Sequence, residues 1–269
     1  MSKPRTCEAF LLVLSLHYFR KLLSNDPLCI SAQQVIAYLY ADYKPLSLLN
    51  ATCKEVYFMA TVLVIGASGQ IGKQATGKLL EAGHRVIAPV RSPDKLSDIQ
   101  SDSLTIVEQD LEKDFSAHFE GVDVVVFTAG SGGNTGADKT LMIDLWAARN
   151  AVNYAKAANV SKFVMVSSIG AGDPDAVDSA IKPYLVAKHM ADEHLINSGL
   201  SHVILRPGTL LNEPGTHLVR TDMPTNKSDA VIAREDVATA IVESVSRASN
   251  ENLITHLFKG DTPIAQVLE

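Results

Sequence analysis

From Met59 onward, short runs of branched apolar residues alternate with longer stretches whose apolar positions fall three and four residues apart. The runs are TVLVIG (61–66), RVIAPV (85–90), LTIVEQ (104–109), DVVVFTA (123–129), KFVMVSS (162–168), HVILRP (202–207) and LITHLF (253–258). Between them, residues 71–82, 138–158, 180–198 and 234–248 carry helical periodicity with few breakers. Alternation of this kind builds βαβ units and a parallel sheet. Near-continuous Val and Ile in the strands point to helices covering both faces. The expected fold is therefore α/β, a doubly wound parallel sheet of about seven strands. Gly and Pro gather at SGGNTG (131–136), GAGDPD (170–175) and RPGTLLNEPG (206–215), after strand ends, where open α/β sheets bind ligands.

Composition divides the chain near Met59. All three cysteines and five of the seven tyrosines precede it, whereas all 16 glycines follow it. We read 1–58 as an N-terminal extension, helical (8–23 and 31–41) or disordered, and 59–269 as one domain, with Met59 as the functional start. The three cysteines have no metal-ligand or disulfide spacing, which suits a reducing compartment. The longest apolar run, AFLLVLSLHYF (9–19), is about half of what a membrane-spanning helix needs. No small-x-small cleavage site follows it. The expected location is cytoplasmic, or an organelle if 1–58 is a leader. Residues 59–269 carry 18 Lys and Arg against 26 Asp and Glu, so the domain repels a phosphate backbone and no nucleic-acid or membrane partner is expected. Histidines 84, 118, 189, 194, 202, 217 and 256 are scattered. The closest two, His189 and His194, are five apart rather than the four that puts two ligands on one helix face, so no metal is expected.

VLVIGASGQIGK (62–73) places Gly66, Gly69 and Gly72 between a strand and a helix. In such a turn an early Gly permits the bend, a middle one lets backbone N–H groups approach a pyrophosphate, and a late one lets helix and strand pack closely. A triphosphate-binding loop needs a Ser or Thr after its lysine, but Gln74 follows Lys73. A dinucleotide is the expected ligand. Sites for NAD usually carry Asp or Glu at the end of the second strand, whereas here that strand runs into Arg91, with Lys95 behind it. A cation suits a 2′-phosphate, so NADP(H) is favoured over NAD(H). The expected cofactor contacts are Gly66, Ser68, Gly69, Gln70, Ile71, Gly72, Arg91, Asp110, Leu111, Thr128, Ala129, Gly130, Lys188 and Pro207. Asp110 and the 128–130 segment follow the third and fourth strands, where adenine and ribose would lie; a helix cap and a loop glycine are the plainer alternatives.

In KPYLVAKHMADEHL, Tyr184 and Lys188 lie four apart on one helix face. An ammonium near a phenol favours the phenolate and brings its pKa toward the working range. Tyr40 and Lys44 show the same step with no site residues around them. Tyr184, by contrast, follows a strand that ends in Ser167 and Ser168, either of which could hydrogen-bond a substrate oxygen.

GASGQIG, VRSPDK, TAG, VSSIGA, YLVAK, LRPGTL and IAREDVA, in that order, resemble the atypical short-chain dehydrogenase/reductase family. The chain is most similar to its small NAD(P)H-binding, epimerase/dehydratase-like members, which have a Rossmann-type fold. The resemblance implies that Tyr184 is the acid/base, that Lys188 binds the nicotinamide ribose and lowers the Tyr pKa, and that Ser168, rather than Ser167, orients the substrate oxygen. It also implies that Leu205 to Gly208 line the nicotinamide pocket and that Arg91 meets the 2′-phosphate. Only about 60 residues follow Pro207, fewer than nucleotide-sugar enzymes of the family use, so a small substrate is expected. The expected activity is hydride transfer to or from a small carbonyl or alcohol, or epimerase or dehydratase chemistry on the same residues, in a monomer or homodimer. The alternative is a non-enzymatic NADP(H) sensor or scaffold.

Overall fold

The computed structural model describes residues 59–133, 135–247 and 252–268; the extension 1–58, with the two stretches expected to be helical and the Tyr40/Lys44 pair, lies outside the described residues. All seven expected strands form: β1 (Thr61–Ile65), β2 (Arg85–Val90), β3 (Leu104–Glu108), β4 (Val124–Phe127), β5 (Lys162–Val166), β6 (His202–Pro207) and β10 (Leu253–Lys259). They lie in the order β10-β6-β5-β4-β1-β2-β3, with every neighbouring pair parallel. Their carboxyl ends therefore share one edge, and the winding reverses between β1 and β4, where doubly wound folds bind ligands.

The expected strand count needs correction. β8 (Leu218–Arg220) and β11 (Thr262–Pro263) extend the sheet antiparallel beyond β10 to nine strands, and β7 (Thr209–Leu211) pairs with β9 (Val231–Ala233) in a separate sheet. Each added strand has two or three residues, which is too short for a period of two to register.

The helices match the expected stretches. They are α1 (Gln70–Glu81), α2 (a continuous run over 137–157), α3 (Lys182–Ile196), α4 (Arg234–Ser246) and the short α5 (Ile264–Leu268). Strand residues alternate between two separate cores, as a period of two requires. Val62, Val64, Val124, Val126, Val164 and Val203 face α1 and α4, packing on Ala75, Leu79, Val237 and Ile241. Leu63, Ile65, Val125, Phe127, Phe163 and Ile204 face α2 and α3, packing on Ala151, Ala187 and Ala191. Both sheet faces are thus covered, and the Val-rich strands are apolar on every residue for that reason. No helix of the described residues is long and apolar enough to cross a membrane.

At the far edge of the sheet, the Ala60 amide donates to Nδ1 of buried His84 at 3.2 Å. Burial holds this imidazole below its ordinary value of 6.5. A group with a lowered folded-state pKa binds fewer protons folded than unfolded, so its contribution is complete above 6.5 and declines as the pH falls below it. Unfolding measured between about pH 7 and 5 should show a smaller acid loss in His84→Gln, whose side chain cannot titrate. Equal losses in the two proteins would contradict the assignment.

Candidate functional site

The glycine turn is built as its spacing predicts, with a division of labour among the three residues. Gly66 has φ +93°, and a Cβ there would stand 2.5 Å from the Ala129 amide nitrogen. A Cβ on Gly72 would stand 2.2 Å from the Gly66 carbonyl oxygen. These two glycines let β1, α1 and the end of β4 close on one another. Gly69 has only the Gly66 oxygen near, at 3.2 Å, so its outer side is open. It is also the N-cap of α1, without a side-chain cap bond and with no acidic residue in the first turn. The first amides of a helix have no partner within it. Together with the helix dipole, they make this turn a place for an anion. Ser68, Gly69 and Gln70 present themselves there, whereas Ile71 packs on the core.

The other expected contacts fall along the same edge in different states. Thr128 donates its hydroxyl to the Ile65 carbonyl at 3.1 Å, so it ties β4 to β1. Asp110 accepts from the Glu112 amide at 3.1 Å, a turn-forming bond, and Leu111 packs on the α2/α3 core. Arg91 is exposed and lines an open cleft of about 550 Å³ with Glu108, Gln109, Asp110 and Lys113. Lys95 is exposed but does not line it. A larger cleft, about 660 Å³, runs along the outer face of α1 and contains none of Ser168, Tyr184 and Lys188. Pro207 is buried, and its carbonyl accepts from the Ile169 amide at 2.9 Å, holding the backbone just beyond Ser168.

The residues expected to perform proton chemistry do come together, where the end of β5 meets α3. The two serines have different surroundings. Ser167 is buried and donates to Asp192 Oδ2 at 2.8 Å, whereas half-buried Ser168 faces the Tyr184 phenol. Buried Lys188 donates to the Val166 carbonyl at 2.8 Å, one residue before that pair.

Asp144 and Asp192 have no place in the sequence expectation, and Arg206 enters it only within Leu205 to Gly208, without its partner. Asp144 sits in a π-wound segment of α2, Thr140–Ala147. Such windings are rare and frequent at functional sites. Its buried carboxylate accepts from the Ser131 amide at 3.0 Å, beyond the β4 end, and its charge is felt by both Tyr184 and Lys188. Asp192 and Arg206 form an ion pair at 3.0 Å directly behind Ser167. An acid on the apolar side of a helical stretch was the available signal for Asp144, and an acid four residues after Lys188 was the signal for Asp192.

One expectation is reversed. The Tyr184 pKa is not lowered: burial first, then the Asp144 charge, push it up to about 12, against a smaller opposing effect from Ser168. Lys188 does not offset this rise: its ammonium donates to the Val166 carbonyl. Burial pulls Lys188 down from its ordinary value, while Asp144 and Asp192 resist that change.

An anion-ready turn, a cation after β2 and a Ser–Tyr–Lys group thus lie along one sheet edge. The pattern of the NAD(P)H-binding family matches residues 66–248. The chain belongs to that family. This agrees with the resemblance to atypical short-chain dehydrogenases/reductases. A relative in Bacillus subtilis, the uncharacterized sugar epimerase YhfK, is 39% identical over 212 residues, covering 77% of this chain and 98% of its own. UPF0659 protein YMR090W of Saccharomyces cerevisiae is 31% identical over 222 residues, covering 77% and 97%. Among solved structures, a Bacillus halodurans protein assigned as a NAD-dependent epimerase/dehydratase superposes with a TM-score of 0.72 at 40% identity, covering 78% of this chain and 98% of its own.

Proposed function

We propose that this NAD(P)H-binding protein is an NADP(H)-dependent enzyme that reduces a small carbonyl or oxidises the matching alcohol, or epimerises a small sugar-like substrate on the same residues. The observation that carries this is the placement of Ser168 against Tyr184, with buried Lys188 one helical turn on, at the sheet edge that also holds the open glycine turn. The amides at Gly69 and the start of α1 would hold the pyrophosphate, and Arg91 the 2′-phosphate. When bound, the cofactor gives or takes a hydride at the substrate carbon. Ser168 donates a hydrogen bond to the substrate oxygen and aligns it with Tyr184. In reduction, Tyr184 Oη gives its proton to that oxygen; in oxidation it takes one back. With a pKa near 12 the phenol keeps its proton throughout neutral pH, which suits the reductive direction. The name of the YhfK relative supports the epimerase form of this reading.

Arg91 provides the test of cofactor choice. Its replacement, Arg91→Ala, should weaken NADPH binding about tenfold or more, as expected for loss of a hydrogen-bonded charge pair, and leave NADH binding nearly unchanged. Fluorescence titration of both cofactors on both proteins measures it. Equal affinity of the wild type for NADH and NADPH would remove Arg91 from this role.

A further inference from the structure

Asp192 has no part in the proton transfer described above, yet its carboxylate is buried directly behind Ser167 of the candidate site. It follows Lys188 by one turn of α3, so both side chains leave the same helix face, and they are 1% and 2% exposed. Its Oδ2 accepts two hydrogen bonds, from Ser167 Oγ at 2.8 Å and Arg206 Nε at 3.1 Å, and lies 3.0 Å from Arg206 Nη2 in an ion pair. Its Oδ1 is buried with no hydrogen-bond partner among the described residues. Burial pushes this carboxyl above its ordinary range, and Lys188, Ser167 and Arg206 oppose that rise; a buried charge with one oxygen unbonded depends on such neighbours.

We propose that Asp192, clamped by Arg206 and Ser167, is a positioning residue: a fixed countercharge that, beside Asp144, keeps the buried Lys188 ammonium protonated and aimed at the Val166 carbonyl beside Ser168 and Tyr184. The inference rests on Lys188 being a working group of the proposed site.

The connection runs through bonds as well as through space. Lys188 donates to the carbonyl of Val166, and the next residue, Ser167, donates to Asp192. One turn of α3 separates the two side chains, and Asp192 acts on the ammonium by its charge. Arg206 extends the clamp to the loop after Ser168, because a Cβ on Gly172 would stand 2.7 Å from Arg206 Nη1. Charge also balances locally, with Asp144 and Asp192 against Lys188 and Arg206. The remaining titratable neighbours are placed otherwise. Tyr184 precedes Lys188 by one turn and faces Ser168. His189 points Nδ1 at the Ala171 carbonyl and Nε2 at Glu193, and His256 on β10 lies near Arg206.

The test is an NMR pH titration of the Lys188 13Cε resonance in the full chain, assigned with Lys188→Met. Asp192→Asn should lower the Lys188 midpoint by about one pH unit, a tenfold loss of proton affinity, and Asp192→Glu should restore it. Arg206→Gln should raise the midpoint, because Asp192 is then left with Lys188 as its cation. General loosening would admit water and raise the midpoint in every variant, so a fall in Asp192→Asn distinguishes a countercharge from a merely structural role. A midpoint that is unchanged or raised in Asp192→Asn overturns the proposal. Should that variant not fold, an unchanged or lowered midpoint in Arg206→Gln does so. NADPH affinity of the same variants separates the two readings: a shifted midpoint with unchanged affinity supports the countercharge and takes Lys188 out of the cofactor contact.

Discussion

Replacing Gly72 by alanine is expected to cost about 3 kcal/mol of stability and to abolish cofactor binding, since overpacking a rigid contact commonly costs this much. The added methyl group would lie 2.2 Å from the Gly66 carbonyl oxygen and 2.8 Å from Thr128 Oγ1. Neither atom is the free end of a flexible chain. The carbonyl belongs to the turn itself, where it accepts from the Gly69 amide at 2.9 Å, and the hydroxyl is bonded to Ile65. Relief requires α1 to move away from β1, and that movement displaces the amides which would receive a pyrophosphate. Gly77, one and a half turns further along α1, makes the matching control. A Cβ there meets nothing within 4 Å, so Gly77→Ala should stabilise the helix by about 0.5–1 kcal/mol. Thermal unfolding of the two variants should therefore move in opposite directions. A Gly72→Ala protein as stable as the wild type would show that the turn is looser than its contacts require.

Tyr184→Phe should reduce turnover by about 100- to 10,000-fold, the usual range for loss of a positioned proton donor. NADPH affinity should stay within about twofold, because the ring and its packing remain. Since the wild-type phenol retains its proton up to about 12, reductive turnover that uses it as the acid should not fall through neutral and mildly alkaline pH from this group. Full activity in Tyr184→Phe would remove Tyr184 from the chemistry. It would favour a cofactor that acts on a stacked substrate without help from the protein.

These two variants differ in how visible their physics is in the chain itself. The seven long strands announce themselves because both faces of the sheet are buried, which forces residues such as Val62 to Ile65 to be apolar without a break. Tyr184, Lys188 and the three glycines are equally visible, since their spacing is local. What stays hidden is long-range. The π-wound turn that turns Asp144 inward depends on where α2 meets the β4 loop, and an aspartate in a helical stretch otherwise reads as a surface residue. Arg206 is 14 residues from Asp192, on a different element, and nothing in LRPG announces the pair. The direction of the Tyr184 pKa follows from burial, which is a property of the packed site rather than of the Tyr–Lys step. The short strands β7, β8, β9 and β11 owe their existence to their partners in the sheets and carry no period of their own.

The proposed function turns on whether bound nicotinamide exchanges a hydride with a substrate. The direct measurement is the absorbance of reduced nicotinamide after the full chain, loaded with NADPH or NADP⁺, is mixed with a panel of small carbonyl compounds, alcohols and simple sugars. At least one compound should change that signal at a rate that collapses in Tyr184→Phe. Tight cofactor binding with no change for any compound in the panel would contradict the enzyme and leave the protein a sensor of its nucleotide.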